Sequence, residues 1–307
     1  MAIQILKHGI MDTLQDKGRY GFQHIGIPAC GYLDYLSAQL ANCILGNPLD
    51  APIFELHFPT SKFTFDDDHT ICISGANFVP VLNDKSIDMN KEIHVHKNDQ
   101  LQFIQPILGK TTYVAIKGNI NSVSWLNSQS YFSKQIKTND HFKVTKWEAN
   151  KKINTSLLTE QGSMTFLIDK IQKHIFDSHE IRFIPGPQWN ELSSASLLNL
   201  LHQPFNTSVH SNRMGYKLNG PSLHLNEQKS YLSSAVTRGT MQLLPNGDLI
   251  ILMADHQTIG GYANLGQIIL VDLPKLVQLK TDTPFHFSLT NIETAHKEFN
   301  QIQGWFK

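Results

Sequence analysis

Short runs of β-branched and aromatic residues, broken every few positions by turn-forming residues, limit most strongly what this chain can fold into. Ile3–Lys7, Lys62–Phe65, Thr70–Ser74, Phe78–Leu82, Glu92–Lys97, Gln100–Ile104 and Thr111–Lys117 read as strands in the first half. Ile181–Ile184, Tyr216–Leu218, Leu249–Ala254, Gln267–Val271 and Phe285–Leu289 continue the style in the second. Many short strands with turn signals, and no repeat of solenoid period, predict sandwich or barrel-like β domains. Glu92–Lys97 alternates in period two and is followed by Asn98-Asp99, which predicts a hairpin to the next strand; Asn246-Gly247 is the clearest hairpin turn in the chain.

Helices are few. Asp34 is a suitable N-cap for Tyr35–Leu45, whose Leu36, Leu40, Ala41, Ile44 and Leu45 form one apolar face, with Gly46 and Pro48 as the stop. A second helix is expected from about Ser193 to His202 with Leu197, Leu198 and Leu201 inward, and a last one over Glu293–Gln301. From Ser133 to Ser163 the sequence turns rich in Lys, Asn, Thr and Ser, which suits surface loops or a junction. Two β domains are therefore expected, residues 1–178 and 179–307.

With 26 Lys+Arg against 26 Asp+Glu, the chain lacks the basic field of a non-specific nucleic-acid binder, and a small molecule or a protein is the better partner. No stretch is long and apolar enough to span a bilayer and no leader pattern opens the chain, so a cytoplasmic protein away from membranes is expected. Cys30, Cys43 and Cys72 are odd in number and widely spaced, which argues for reduced thiols over disulfides or a thiolate zinc site. The sequons at Asn154 and Asn206 would matter only in an exported protein.

Familiar catalytic signatures are missing. Leu108-Gly109-Lys110-Thr111 resembles the end of a phosphate loop, but Ile104 stands where the first glycine belongs, and a strand follows. His94 and His96 share a strand face without a third ligand nearby in sequence, so no metal site is expected. Neither Gly-x-Ser-x-Gly nor His-Glu-x-x-His occurs.

Four stretches concentrate Gly, Pro, Gln and ionisable residues. The loop Thr13–Pro28 carries Asp16, Arg19, Gln23 and His24, and reads either as an acid/base set with an anion-binding fork or as a structural loop with an Asp16–Arg19 pair. Ile184-Pro185-Gly186-Pro187-Gln188 would fix Gln188 at a strand tip, and Arg213-Met214-Gly215-Tyr216 sets a cation before a glycine that admits close approach of a ligand. Asp255-His256-Gln257-Thr258-Ile259-Gly260-Gly261-Tyr262 follows an apolar strand, placing a charge and a titratable group at its end.

These stretches carry a resemblance. Thr13–Pro28 with Gly31 and Asp34, then Ala41-Asn42, Gly46-Asn47-Pro48 and Glu55, resemble the N-terminal signature of the family of biotin-dependent carboxyltransferases, 5-oxoprolinase C subunits and KipI antagonists. Ser74-Gly75-Ala76-Asn77 is similar to its S-G-A-D segment, with Asn77 for Asp. Pro185–Gln188, Arg213–Tyr216 with Gly220-Pro221, Asp255–Thr258 with Gly260–Tyr262, and Asp272-Leu273-Pro274 with Leu276 and Leu279 resemble its later motifs. His256 and Ala263-Asn264 depart from the family pattern, which more often has Arg at the first place and Pro with a basic residue at the second.

The resemblance implies a mostly β fold of two cyclophilin-like β-barrel domains. It also implies a complex with a KipI-like B subunit and an A-type oxoprolinase subunit that opens 5-oxoproline to L-glutamate with ATP hydrolysis, the ATP site lying somewhere in the complex. On that reading Arg213 or Arg19 would hold the substrate carboxylate, and Gln188 and Gln257 would read the lactam. Asp16, His24, Asp255 and His256 are the acid/base candidates, with Gln23, Gly215, Tyr216, Thr258, Gly261 and Tyr262 around them. The alternatives are carboxyl transfer from a biotin carried on another protein, since this chain has no Met-Lys-Met site, and a non-catalytic antagonist of a KipI-like inhibitor.

Overall fold

The structure, a computed structural model, describes residues 2–132, 134–147, 161–227 and 229–306. The chain divides into two compact units, Met1–Arg19 with Cys30–Lys173, and Tyr20–Ala29 with His174–Lys307.

The first unit holds two sheets. One has seven strands in the order Asn119–Asn121, His141–Thr145, Ala2–Lys7, Lys62–Phe65, Gln100–Phe103, Pro80–Leu82, Lys85–Ser86. The other has five: Thr13–Gln15, Ile53–Leu56, Leu108–Ile116, His69–Asn77, Ile93–Val95. Period-two alternation builds the core: Ile3 and Ile5, Phe63 and Phe65, Ile71 and Ile73, and Val114 and Ile116 all enter one buried cluster. Phe54 sits at its centre, with ring centroids 5.2 Å from Phe63 and 5.1 Å from Phe142, a burial contributing about 2–3 kcal/mol per ring.

Alternate residues of the central strands face the other way. Cys72, Tyr113 and Ala115 pack with Ala38, Ala41 and Leu45, so helix α1 (Tyr35–Ile44) covers the outer face of the five-stranded sheet. Asp34 caps α1 as expected, its Oδ1 accepting from Ser37 N at 3.0 Å. Cys30, Cys43 and Cys72 are buried free thiols, and burial pushes Cys43 up to about 11.

Two expectations are corrected in this unit. Asn98-Asp99 does not close a hairpin: Ile93–Val95 pairs with His69–Asn77, whereas Gln100–Phe103 pairs with Lys62–Phe65 in the other sheet. Asn98, at φ 69°, donates its N–H to Phe65 O at 2.7 Å, and the turn carries the chain between sheets. The stretch expected to be loops contains the strand His141–Thr145, whose Phe142 and Val144 alternate inward, and the start of helix α2 (Gln161–Phe176). Within that stretch, 133 and 148–160 lie outside the described residues.

The second unit is built on a seven-stranded sheet: Asn206–Thr207, Gly215–Asn219, Leu249–Leu252, Thr240–Leu243, Ala263–Ile268, Glu180–Pro185, His286–Leu289. The Asn246-Gly247 hairpin forms as expected, with Gly247 at φ 87° and its N–H on Leu244 O at 2.9 Å. Helix α3 (Ser194–His202) is capped by Ser193, but it buries Ser196 and Leu200, while Leu198 is 60% exposed. The inward face is thus rotated from the expected one.

Helices α4 (Leu273–Gln278) and α5 (Ile292–Gln303) complete the unit. Arg182 fastens them to the sheet: its Nε and Nη2 donate to Asp272 at 2.8 and 2.9 Å, and its Nη1 and Nη2 to Glu298 at 2.6 and 2.7 Å. Lys275 Nζ adds a third cation contact at 2.8 Å from Asp272. Burial works to raise the Asp272 carboxyl, but Arg182 and Lys275 outweigh it and hold it below the usual carboxylate range.

Candidate functional site

The N-terminal loop is tied down by its own ionisable residues. Asp16 Oδ1 accepts from Gly18 N at 2.8 Å and from the Ser128 and Ser130 hydroxyls at 2.7 Å each, and Oδ2 accepts from Gln129 N at 2.6 Å. Arg19 is 3% exposed, donates to Cys30 Sγ at 3.1 Å and to Ser130 O, and lies 5.0 Å from the Trp125 ring centroid. Asp16 and Arg19 therefore do not pair; each holds the 128–130 segment on its own. Gln23 and His24 lie on the short 3-10 turn Gln23–Ile25, which belongs to the second unit; Gln23 is half-buried and His24 exposed.

In the second unit, two of the motif stretches are stitched together. Arg213 places Nε 3.0 Å from Asp255 Oδ2 and Nη2 2.9 Å from Asp255 Oδ1, and Asp255 N donates to Arg213 O at 2.8 Å. Met253 N bonds Met214 O at 3.0 Å beside them. This bidentate pair, with side chains only 11% and 10% exposed, braces the two strand ends.

The bracing shapes a concave face. Register aligns Gly215 with Leu252, Lys217 with Ile250, and Ile250 with Gln242, so these residues share one side of the sheet. They line a cavity of about 280 Å³ together with His210, Asn212, Met214, Gln257 and Tyr262. Met214 and Tyr262 are 54% and 46% exposed, and the lining mixes apolar Leu244, Ile250 and Leu252 with amide, hydroxyl and imidazole groups. Lys217 supplies the cation, its Nζ 2.7 Å from Asp248 Oδ2.

The expected residues divide. Gly215, Gln257 and Tyr262 meet at this cavity. Tyr216 is the strand neighbour of Gly215 and turns to the opposite, buried face with its partner Ile251. Thr258 is half-buried and its carbonyl accepts Val236 N at 3.1 Å, and Gly261 lies against Ser233 Oγ and Tyr231 O. His256 is 1% exposed, its Nδ1 2.5 Å from Gln257 O; burial, with Arg238 nearby, lowers its pKa.

Gln188 is engaged locally: its Oε1 accepts Asn264 N at 2.9 Å and its own N donates to Asn264 O at 3.1 Å. A Cβ on Gly186 would sit 2.5 Å from Asn264 O, which is why Pro-Gly-Pro-Gln closes on this strand. Asn77 uses Oδ1 to accept Val79 N at 2.9 Å, an acceptor's task that Asn performs as well as Asp. Sequence reasoning missed Lys217 and Gln242, although the period of two that pairs Gly215 with Lys217 was available. Among the described residues no group of three or more His, Cys, Asp or Glu is placed to hold a metal ion, and no helix is long and apolar enough to cross a membrane.

The chain is mostly β, and its fold is that of a carboxyltransferase-type domain. The carboxyltransferase domain family, subdomain A and B, matches residues 25–289, and the chain belongs to it. It is 29% identical to the C subunit of the 5-oxoprolinase of Escherichia coli (strain K12) over 99% of this chain and 96% of that one. The urea amidolyase of Lachancea kluyveri is 27% identical over 96% of this chain, which corresponds to 17% of that protein. The solved urea carboxylase of Kluyveromyces lactis superposes with a TM-score of 0.86 at 20% identity, covering 100% of this chain and 29% of that one, a likeness of fold.

Proposed function

We propose that this chain is the C-type subunit of an ATP-dependent 5-oxoprolinase, working with a KipI-like B subunit and an A-type subunit to open 5-oxoproline to L-glutamate. The observation that carries the reading is reciprocal coverage: the match to the Escherichia coli protein takes in 99% of this chain and 96% of that one. Against the urea amidolyase the same chain is a 17% fragment.

The concave face of the second unit suits the substrate. 5-Oxoproline is a small ring with an amide edge and a carboxylate; on this reading Gln257 and Tyr262 would bind the amide, and Lys217, whose Nζ also meets Asp248 Oδ2 at 2.7 Å, would attract the carboxylate. Arg213, with Asp255 on its fork, acts through the loop geometry, as a brace for Met214 and Gly215. A reconstituted three-subunit mixture is expected to release glutamate only when this chain and ATP are both present. Undiminished release without this chain would refute the assignment.

Carboxyl transfer is the second reading, favoured by the family's own description and by the urea carboxylase fold match. The carboxybiotin would arrive on another protein as substrate, and the same face would receive the amide acceptor.

A further inference from the structure

The first unit contains a cavity of about 590 Å³ that the proposed function leaves unused. It opens past the C-terminal end of α1, where Gly46 and Asn47 line it with Thr70 and His94 on two strands and with Lys117 and Trp147 just beyond two others. A volume of this size accommodates a ligand as large as a nucleotide.

Its wall is a fixed aromatic plane. Trp147 Nε1 donates to Asn47 Oδ1 at 3.1 Å, and the same oxygen accepts Gly118 N at 3.1 Å. Asn47 Nδ2 in turn donates to Ile116 O at 2.8 Å and to Asn42 Oδ1 at 3.1 Å. Every polar atom of the Asn47 side chain is thus spent on orientation, which gives the Asn42 and Gly46-Asn47-Pro48 motif a task. Gly118, at φ 133°, is required because a Cβ would lie 2.7 Å from Thr145 O. Trp147 lines this cavity and also a second, polar one of about 480 Å³, so its ring stands between them.

The lining chemistry favours an anion. Lys117, Lys146, His69, His94 and His96 line the cavity with one carboxylate, Asp68, which accepts Lys97 N and faces His96 Nδ1, each at 3.3 Å; burial lowers the pKa of His69, so Lys146 and the exposed His94 are the groups left to meet an anion. Lys117 shares Glu92 at 2.8 Å, outside the lining. His94 bonds Thr70 through Nδ1 at 3.2 Å, and its ring is exposed.

We propose that this cavity binds an organic phosphate carrying a flat ring, a ligand of nucleotide chemistry, with Trp147 stacking on the ring and Lys146 and His94 meeting the phosphate.

The test is equilibrium binding of ADP to the full chain, followed by calorimetry and tryptophan fluorescence, with adenosine and pyrophosphate as the two halves of the ligand. Saturable ADP binding is expected, with each half binding at least about tenfold more weakly, and with Trp147→Ala weakening ADP about tenfold, the worth of one base stack. Lys146→Ala and His94→Ala, both at exposed positions, are expected to weaken ADP without changing the thermal midpoint. Three results would overturn the site: no saturable ADP binding by the folded chain, pyrophosphate binding as tightly as ADP, or ADP affinity untouched by all three substitutions. Because binding is read directly, the outcome is independent of whether the three-subunit mixture releases glutamate.

Discussion

Four donors converge on the Asp16 carboxylate, from Gly18, Ser128, Gln129 and Ser130, in a site that is 6% exposed. Asp16→Ala would strand all four, and an expected loss of about 2–4 kcal/mol follows from leaving buried donors unpaired. Denaturant unfolding measures it, and a loss below about 0.5 kcal/mol would contradict the knot. Asp12 makes the opposite kind of prediction. Burial pushes its carboxyl from 3.8 up to about 6, although His57 N, at 2.8 Å, and Ser61 N donate to it. The folded protein therefore holds this proton more tightly than the unfolded chain does. The stabilisation from that proton is complete below about pH 4 and is lost as pH rises through about 6, an effect of order 2–3 kcal/mol. Asp12→Asn should flatten this component, so the stability difference between variant and wild type should shift in the variant's favour from pH 4.5 to pH 7. Urea midpoints at those two values decide it; a constant difference would exclude the titration of Asp12.

The Arg182 cluster ties a strand to two helical segments, and its two acids are not equivalent. The Asp272 side chain is fully buried, while that of Glu298 is 29% exposed. Asp272→Asn is expected to cost about 3–5 kcal/mol by leaving a cation without its buried partner. Glu298→Gln, at a half-buried position, should cost less, about 1–2 kcal/mol. Thermal melts of the two variants give the ranking, and equal losses would contradict it. Strands and caps of this kind were legible in the sequence because they are local: alternation places Ile3 and Ile5, and Asp34 and Ser193 mark their helices. What escaped was non-local. Asn98-Asp99 has turn chemistry in either setting, and only the core's demand for Ile93 and Val95 in one sheet and Leu101 in the other decides that it crosses between them. His141–Thr145 was masked by Lys and His on its exposed face, although Phe142 and Val144 alternate. The site was legible in part for the same reason: Gly215, Gln257 and Tyr262 announce special backbone or strand-end positions, whereas Lys217 and Gln242 gain meaning only from strand register. Tyr216 shows the cost of reading a motif without its pleat, because its neighbour faces the cavity and it faces the core.

At the scale of the whole molecule, each unit carries a cavity: one of about 280 Å³ in the second, and one of about 590 Å³ lined by Trp147, two lysines and three histidines in the first. The chain belongs to the carboxyltransferase domain family, and its end-to-end match to an oxoprolinase component is what favours the lactam as the substrate proposed above. Gln257 is exposed and Tyr262 is 46% exposed, so both can be truncated with little effect on the core. The measurement to make is kcat/KM for ATP-dependent glutamate release from 5-oxoproline by the three-subunit mixture, comparing this chain as wild type, as Gln257→Ala and as Tyr262→Ala. The predicted result is release that depends on this chain, with each variant falling about tenfold or more while the complex stays assembled. Release that proceeds at the same rate with both variants, or with the chain left out, would contradict it.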